Sequence, residues 1–145
     1  MARIRLGMVG GGNDAFIGGV HRIASRIDDR FDLVAGALSS TPEKSAASAE
    51  ALGIPRSYGS FEEMAEAEAA RDDGIEAVSI VTPNHVHAAA AQAFLAKGIH
   101  VICDKPLTST LEDAEALAAS VAEAEALFIL THNYTGYPMI RQARA

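Results

Sequence analysis

The residues with the most chemistry to offer are three glycines, Gly10, Gly12 and Gly18, in the segment MVGGGNDAFIGGVHR (8–22). They lie where an apolar run ends and an amphipathic one begins. Glycines between a strand and a helix suit a dinucleotide diphosphate. One makes the tight turn, one lets the main chain approach the phosphates, and one allows close helix packing, while the helix N-terminus attracts negative charge. The spacing is stretched, because Gly18 follows Gly12 by six residues where the usual fingerprint has about three. The inserted stretch places Asn13, Phe16 and Ile17 beside the same ligand. A glycine-rich turn that holds no ligand is the plain alternative.

Polar groups at the ends of other apolar runs fit the same chemistry. The second run leads into Ala37-Leu38-Ser39-Ser40-Thr41, without the carboxylate that commonly grips the ribose. Ser39 and Ser40 are placed to donate to a ribose hydroxyl or a 2′-phosphate, with Lys44 in support. Loop and cap roles account for them equally well, and the choice between NAD and NADP stays open. The segment VTPNHVHAA (81–89) brings Thr82, Pro83 and Asn84 to a strand end, VICDKPL (101–107) brings Lys105, and LTHNYTGYP (130–138) brings His132, Asn133 and Tyr134. Ligands of doubly wound sheets bind beyond the carboxyl ends of the strands, so these groups converge on one rim.

Other reactive side chains read as structural. His85 and His87 are two residues apart and share no helix face, and no third ligand spacing accompanies them, so no metal site is expected. His21, one turn into the first helix, reads as a structural contact, and His100 opens a strand. Cys103, the only cysteine, lies in an apolar run and reads as a small core residue. Tyr134 and Tyr137 either line a substrate or pack against a further domain.

The elements that position these groups are legible. RIRLGMVG, FDLVAGAL, IEAVSIVT, GIHVIC and ALFILT are nearly continuous apolar runs, as expected of strands buried on both faces of a parallel sheet. Helices lie between them. Thr41 with Pro42 starts one that Gly53 ends. Ser60-Phe61-Glu62-Glu63 and Ser109-Thr110-Leu111-Glu112 read as capping boxes. Asn84 caps a run ending at Lys97-Gly98, and Leu111, Ala114, Leu117, Val121 and Ala124 form one helical face. The alternation predicts an α/β fold of Rossmann type, a doubly wound parallel sheet in a single domain. The chain has 145 residues, 49% of them apolar, enough for one domain with a core. The net charge of −7 and the dispersed lysines and arginines argue against a nucleic-acid partner. No apolar run is long enough to span a membrane, and nothing at the N-terminus reads as a signal peptide. A cytoplasmic protein is the default expectation.

The stretched G-x-G-…-G-x-x-H, the T-P-N-x-x-H of Thr82 to His87 and the Lys105-Pro106 pair, in this order, resemble the Gfo/Idh/MocA oxidoreductases over essentially the whole chain. The resemblance implies an N-terminal domain for NAD or NADP over residues 1–131. Residues 132–145 would begin the connection to a C-terminal α+β domain not contained in this chain. It implies cofactor contacts from Gly10, Gly12, Gly18, Pro83, Asn84 and His87, extending to Asn13, Phe16, Ile17, Ser39, Ser40, Thr82, Asp104, Lys105, Pro106 and Asn133. The family's Glu-Lys-Pro is Asp104-Lys105-Pro106 here, and it implies that Lys105 lies near the nicotinamide and the reacting carbon. The family's later Asp-x-x-x-His has no counterpart in the chain. Substrates implied by the resemblance are sugars, polyols and inositols.

Lys105 is therefore the expected catalytic group. Oxidising a secondary alcohol requires removal of its hydroxyl proton as hydride leaves, and a lysine whose pKa is lowered by burial and by oxidised nicotinamide relays that proton. Asp104 is expected to point the other way, since neighbours on an extended segment alternate. The Lys105–Pro106 bond is a candidate for the cis form. The 145 residues alone are expected to bind cofactor weakly, turn over nothing and self-associate as a homo-oligomer through uncovered apolar surface. The rival readings are a non-catalytic dinucleotide sensor and, disfavoured by the missing carboxylate after the second strand, a methyltransferase.

Overall fold

The computed structural model describes residues 2–145, so Met1, the first residue of the expected 1–131 unit, lies outside the described residues. Six parallel strands form one sheet: β1 (Ile4–Gly10), β2 (Phe31–Ala37), β3 (Arg56–Ser57), β4 (Ala77–Val81), β5 (His100–Cys103) and β6 (Phe128–Leu130), in the order β3-β2-β1-β4-β5-β6. The chain builds outward from β1 in one direction, then returns to add β4 on the other side. That reversal leaves a crevice beyond the carboxyl ends of β1 and β4. Five of the strands are the apolar runs of the sequence. β3 was not anticipated, because two residues pairing only with Ala35 and Gly36 carry no periodic signal.

Six α-helices accompany the sheet: α1 (Phe16–Arg26), α2 (Pro42–Leu52), α3 (Phe61–Ala69), α4 (His87–Leu95), α5 (Leu111–Glu123) and α6 (Pro138–Arg144). β4 is buried at every residue, as a strand covered on both faces should be. On one face Val78, Ile80, Val101 and Cys103 pack with Met64 of α3, Phe94 of α4 and Leu117 of α5. On the other, Met8 and Val81 pack with Ala49 of α2, and Ile17 of α1 adds to this smaller cluster. The first face is therefore covered more fully. The pleat puts Ser79 and Ile102 on the second face beside Met8, where only α1 approaches them.

The helix ends follow local chemistry, with three changes from expectation. Ser60 Oγ accepts from the Glu63 amide at 3.2 Å, so Ser60 caps α3 as expected, while the Glu63 carboxylate accepts at 2.8 Å from the amide of Gly59, one residue before the cap, a displaced form of the capping box. α5 starts one residue later than expected: Thr110, not Ser109, is the cap, accepting from the Asp113 amide at 3.1 Å and donating to its carboxylate at 2.7 Å. Leu111, expected on the apolar face, is exposed instead, while Leu117 is buried and Val121 and Ala124 pack against the same core. Asn84 does not cap α4 with its side chain. It opens a 3-10 turn, Asn84–Val86, and Val86 is the residue before the helix. Gly53 ends α2 in the left-handed region at φ 67°, as expected. No helix of the described residues is long and apolar enough to cross a membrane.

Candidate functional site

The first strand runs straight into the glycine loop. Gly10 and Gly11 take φ values of 75° and 71°, a left-handed pair that side chains disfavour. Gly11, the middle residue of the triplet, was not among the expected site residues, although the run of three glycines marks it. The stretched spacing still closes: a Cβ on Gly11 would stand 3.0 Å from Gly18 Cα, so loop and helix touch glycine to glycine. The helix begins at Phe16, which puts Gly18 in its first turn. The inserted residues form a turn, with the Ala15 amide on the Gly12 carbonyl at 3.0 Å. The Asn13 amide donates to Ser48 of α2 at 3.3 Å.

The start of α1 is prepared for an anion. Its cap residue, Ala15, has no side-chain bond to offer, and no acidic residue occupies the first turn. α3 and α5, by contrast, are capped by hydroxyls and carry two acids each in that turn; α4 and α6 share the bare start, and what distinguishes α1 is the glycine loop that leads into it. First-turn amides have no intrahelical acceptor, so Phe16, Ile17 and Gly18 present uncommitted donors. The Thr82 hydroxyl oxygen is buried without a partner at the end of β4, another polar group awaiting one.

Two cavities meet at this loop, and a third lies on the inner side of α1. A groove of about 510 Å³ crosses the ends of β2, β1 and β4 and brings together Gly10, Gly12, Ser39, Ser40, Thr82 and Pro83. Gly59, Ser60 and Phe61 form its outer lip, residues that sequence reasoning read only as a helix start. A second hollow of about 560 Å³ continues from Gly12 and Ser39 to Asn13, Lys44 and Ser48. A third, of about 350 Å³, lies between α1 and the thinly covered sheet face, and brings together Ile17, His21, Asp104, Lys105 and Asn133.

Lys105 is exposed and follows β5 on the same rim as the glycine loop. No side-chain hydrogen bond or ion pair ties it down among the described residues. The Lys105–Pro106 bond is cis. The Asp104 carboxylate accepts from the Thr131 hydroxyl at 2.8 Å and lies 3.4 Å from His21 Nε2, and it lines the same cavity as Lys105. His21 Nδ1 meets the Ser79 hydroxyl at 2.8 Å. A polar chain thus links α1 with the middle of β4 and the ends of β5 and β6.

Not every expected residue lines a cavity. His87 is fully buried, its Nδ1 2.8 Å from the Pro106 carbonyl and its Nε2 3.0 Å from the Thr82 carbonyl. Both ring nitrogens face main-chain carbonyls, so His87 bridges the two loops that carry Thr82 and Lys105 and lines none of the three cavities. Phe16 is 85% exposed, and neither it, Asn84 nor Pro106 lines the three cavities. Burial pushes the Cys103 thiol up to about 12, with the Asp104 charge adding to the effect, so it is a core residue without nucleophilic character. No group of three or more metal-ligating side chains is assembled among the described residues.

Comparison with known proteins accords with this geometry. Residues 4–132 match the model of an oxidoreductase family with an NAD-binding Rossmann fold, Gfo/Idh/MocA. An uncharacterised oxidoreductase of Bacillus subtilis, YfiI, is 38% identical over 145 residues, covering 98% of this chain and 37% of that protein. Levoglucosan dehydrogenase of Pseudarthrobacter phenanthrenivorans is 30% identical, with 99% and 37% covered. This chain thus spans little more than a third of the length of these relatives. Among solved structures, an oxidoreductase from Sinorhizobium meliloti superposes with TM-score 0.92 at 67% identity, over 99% of this chain and 41% of that one. An inositol dehydrogenase homolog from Azotobacter vinelandii, complexed with NADH and myo-inositol, superposes at 0.89 with 42% identity, over 98% and 38%. The left-handed glycine pair, the uncapped helix start and the crevice at the sheet's reversal are the parts such a cofactor needs. The chain belongs to the Gfo/Idh/MocA oxidoreductase family and is an NAD-binding Rossmann domain of it.

Proposed function

We propose that this domain serves an enzyme that moves hydride between nicotinamide and a hydroxyl-bearing carbon of a sugar, polyol or inositol, with Lys105 taking or returning the hydroxyl proton. The observation that carries the reading is the condition of Lys105. It is exposed and unpaired at the mouth of a cavity whose opposite wall is α1, immediately past the glycine loop. Bound NAD supplies a hydride acceptor there, and NADH a donor.

The chain's own residues do the rest. The amides at the start of α1 hold the diphosphate. Ser39 and Ser40 meet the ribose at the end of β2, and Thr82 and Pro83 form the wall beyond it. Asp104 is held by Thr131 and His21, and no ion pair ties it to Lys105 among the described residues, so the amine is free to exchange a proton with substrate. Asn133, at the same cavity, orients a substrate hydroxyl. The relatives named as levoglucosan dehydrogenase and as an inositol dehydrogenase homolog bound to myo-inositol support a polyhydroxylated substrate. Residues 132–145 are read as the beginning of a connection to a substrate-binding part.

The test is calorimetric titration with NAD, NADH, NADP and NADPH side by side, followed by assay of the full-length protein for nucleotide reduction with a panel of cyclic polyols and pyranoses. Nucleotide binding and turnover of at least one polyol are expected. Nucleotide binding with no turnover of any member would leave a sensor, and the hydride-transfer reading would fall.

A further inference from the structure

Arg22 and Glu68 are the two buried acidic or basic side chains, histidine aside, among the described residues. Glu68 is met by the Arg56 guanidinium. Arg22 is met by no carboxylate among the described residues. Its NH1 donates to the Gly11 carbonyl and lies 3.7 Å from Met8 Sδ. Burial lowers its pKa from the ordinary arginine value, and the like charge of Arg26 adds to that. A buried cation without a countercharge is unfavourable in an isolated fold, so its location is informative. It lies directly behind the glycine loop, one turn into the helix from Gly18.

The peptide that Arg22 grips is the one joining Gly11 to Gly12. In a trans peptide the C=O and N–H point in opposite directions. Holding the Gly11 carbonyl inward therefore turns the Gly12 N–H outward, and that N–H has no acceptor among the described residues. Gly12 lines both the groove across the strand ends and the hollow beside Ser39. We propose that Arg22 is the positioning residue of the diphosphate site: it fixes the Gly11–Gly12 peptide with its N–H toward the ligand and supplies the positive charge behind it. The bound dianion is the countercharge the fold otherwise withholds.

Two substitutions test the charge. Arg22→Gln removes the charge and leaves an N–H donor of shorter reach. Arg22→Lys keeps both the charge and a donor. Dissociation constants are measured for NAD, for ADP-ribose and for adenosine, which lacks the diphosphate, at several salt concentrations. Melting temperatures of the unliganded proteins check that each variant folds. The Gln variant is expected to bind NAD and ADP-ribose about tenfold more weakly or worse, with a shallower salt dependence, and to bind adenosine within about twofold of the parent. The Lys variant is expected to stay within about threefold of the parent for all three. Parent-like NAD binding by the Gln variant, an equal loss for adenosine, or a Lys variant as weak as Gln would each overturn the proposal. If the Gln variant does not fold, the Lys variant decides: retained affinity and salt slope support the charge, and a tenfold loss refutes it.

Discussion

At the end of β2 the chain offers hydroxyls, Ser39 and Ser40, where many dinucleotide folds offer a carboxylate. A carboxylate there both binds the two ribose hydroxyls and repels a 2′-phosphate. Serines bind more weakly and repel nothing, and Lys44 lines the adjoining hollow. The expected outcome is modest discrimination: calorimetric affinities for NAD and NADP within about tenfold of one another, a gap near 1.4 kcal/mol. Ser39→Asp should widen that gap in favour of NAD by a further tenfold or more, through like-charge repulsion of the phosphate. A native preference well beyond tenfold would show that another group reads the ribose. Lys105 is the other decisive residue. Lys105→Met removes the proton-exchanging amine and keeps most of its length. In the full-length protein kcat should fall by roughly 10²- to 10⁴-fold, with NAD affinity changed less than about threefold. The limb of the pH–rate profile belonging to the amine should vanish. An unchanged profile would assign the proton transfer elsewhere.

The lip of the groove depends on an element too short to be read from sequence. β3 is two residues long, yet Arg56 at its start donates to Glu68 of α3 at 2.7 and 2.8 Å, and Tyr58 just after it donates to the same carboxylate at 2.7 Å. The Ile75 amide adds a fourth bond at 3.0 Å. These ties fix both ends of the segment that delivers Gly59, Ser60 and Phe61. Burial alone would raise the Glu68 pKa. The Arg56 and Tyr58 bonds and the Arg56 charge outweigh it, and the carboxyl is held below its ordinary value of 4.5. Burial first, then Glu68, pushes Tyr58 up to about 12. The signs give a window. A depressed carboxyl stabilises the fold above about pH 4.5 and loses that contribution as pH falls toward its folded pKa. A raised phenol stabilises below about pH 10 and loses its contribution as pH rises toward 12. Glu68→Gln should cost about 3 kcal/mol, the range for breaking one side of a buried pair, and should flatten the acid limb of melting temperature against pH. An unshifted melting temperature would contradict the network. None of this was legible in the sequence, because Glu68 lies 12 residues from Arg56 and 10 from Tyr58, across a strand, a turn and a helix. The strands were legible, being continuous apolar runs, and so was the glycine loop, whose residue types have few other uses. The brace made by His87 and the grip of Arg22 were not, since a motif names a residue without saying which way its side chain turns.

Across the whole molecule the two sheet faces are unequally dressed. One carries three helices and the larger core; the other carries α1 and α2 and leaves the β4–β6 side bare. α1 adds to the imbalance. Phe16, Val20, Ile23 and Ile27 recur at intervals of four, three and four along one stripe, and Ile23 and Ile27 are 65% and 79% exposed. Ile129 of β6 and Met139 and Ile140 of α6 are exposed as well. A helix with apolar residues on its outer stripe as well as its inner one is built to be covered on both. In solution this chain by itself has only other copies available, so it is expected to self-associate. Sedimentation or light scattering across about 10–200 μM should show mass rising with concentration. The double variant Ile23→Glu, Ile27→Glu should return it toward the monomer without loss of NAD affinity, because neither side chain reaches the glycine loop or the groove. Salt gives an independent check. With a net charge of −7, copies repel one another at low ionic strength, so association through an apolar stripe should strengthen as salt is added. A chain that stays monomeric throughout this range would mean that α6 or a neighbouring segment covers the stripe in solution.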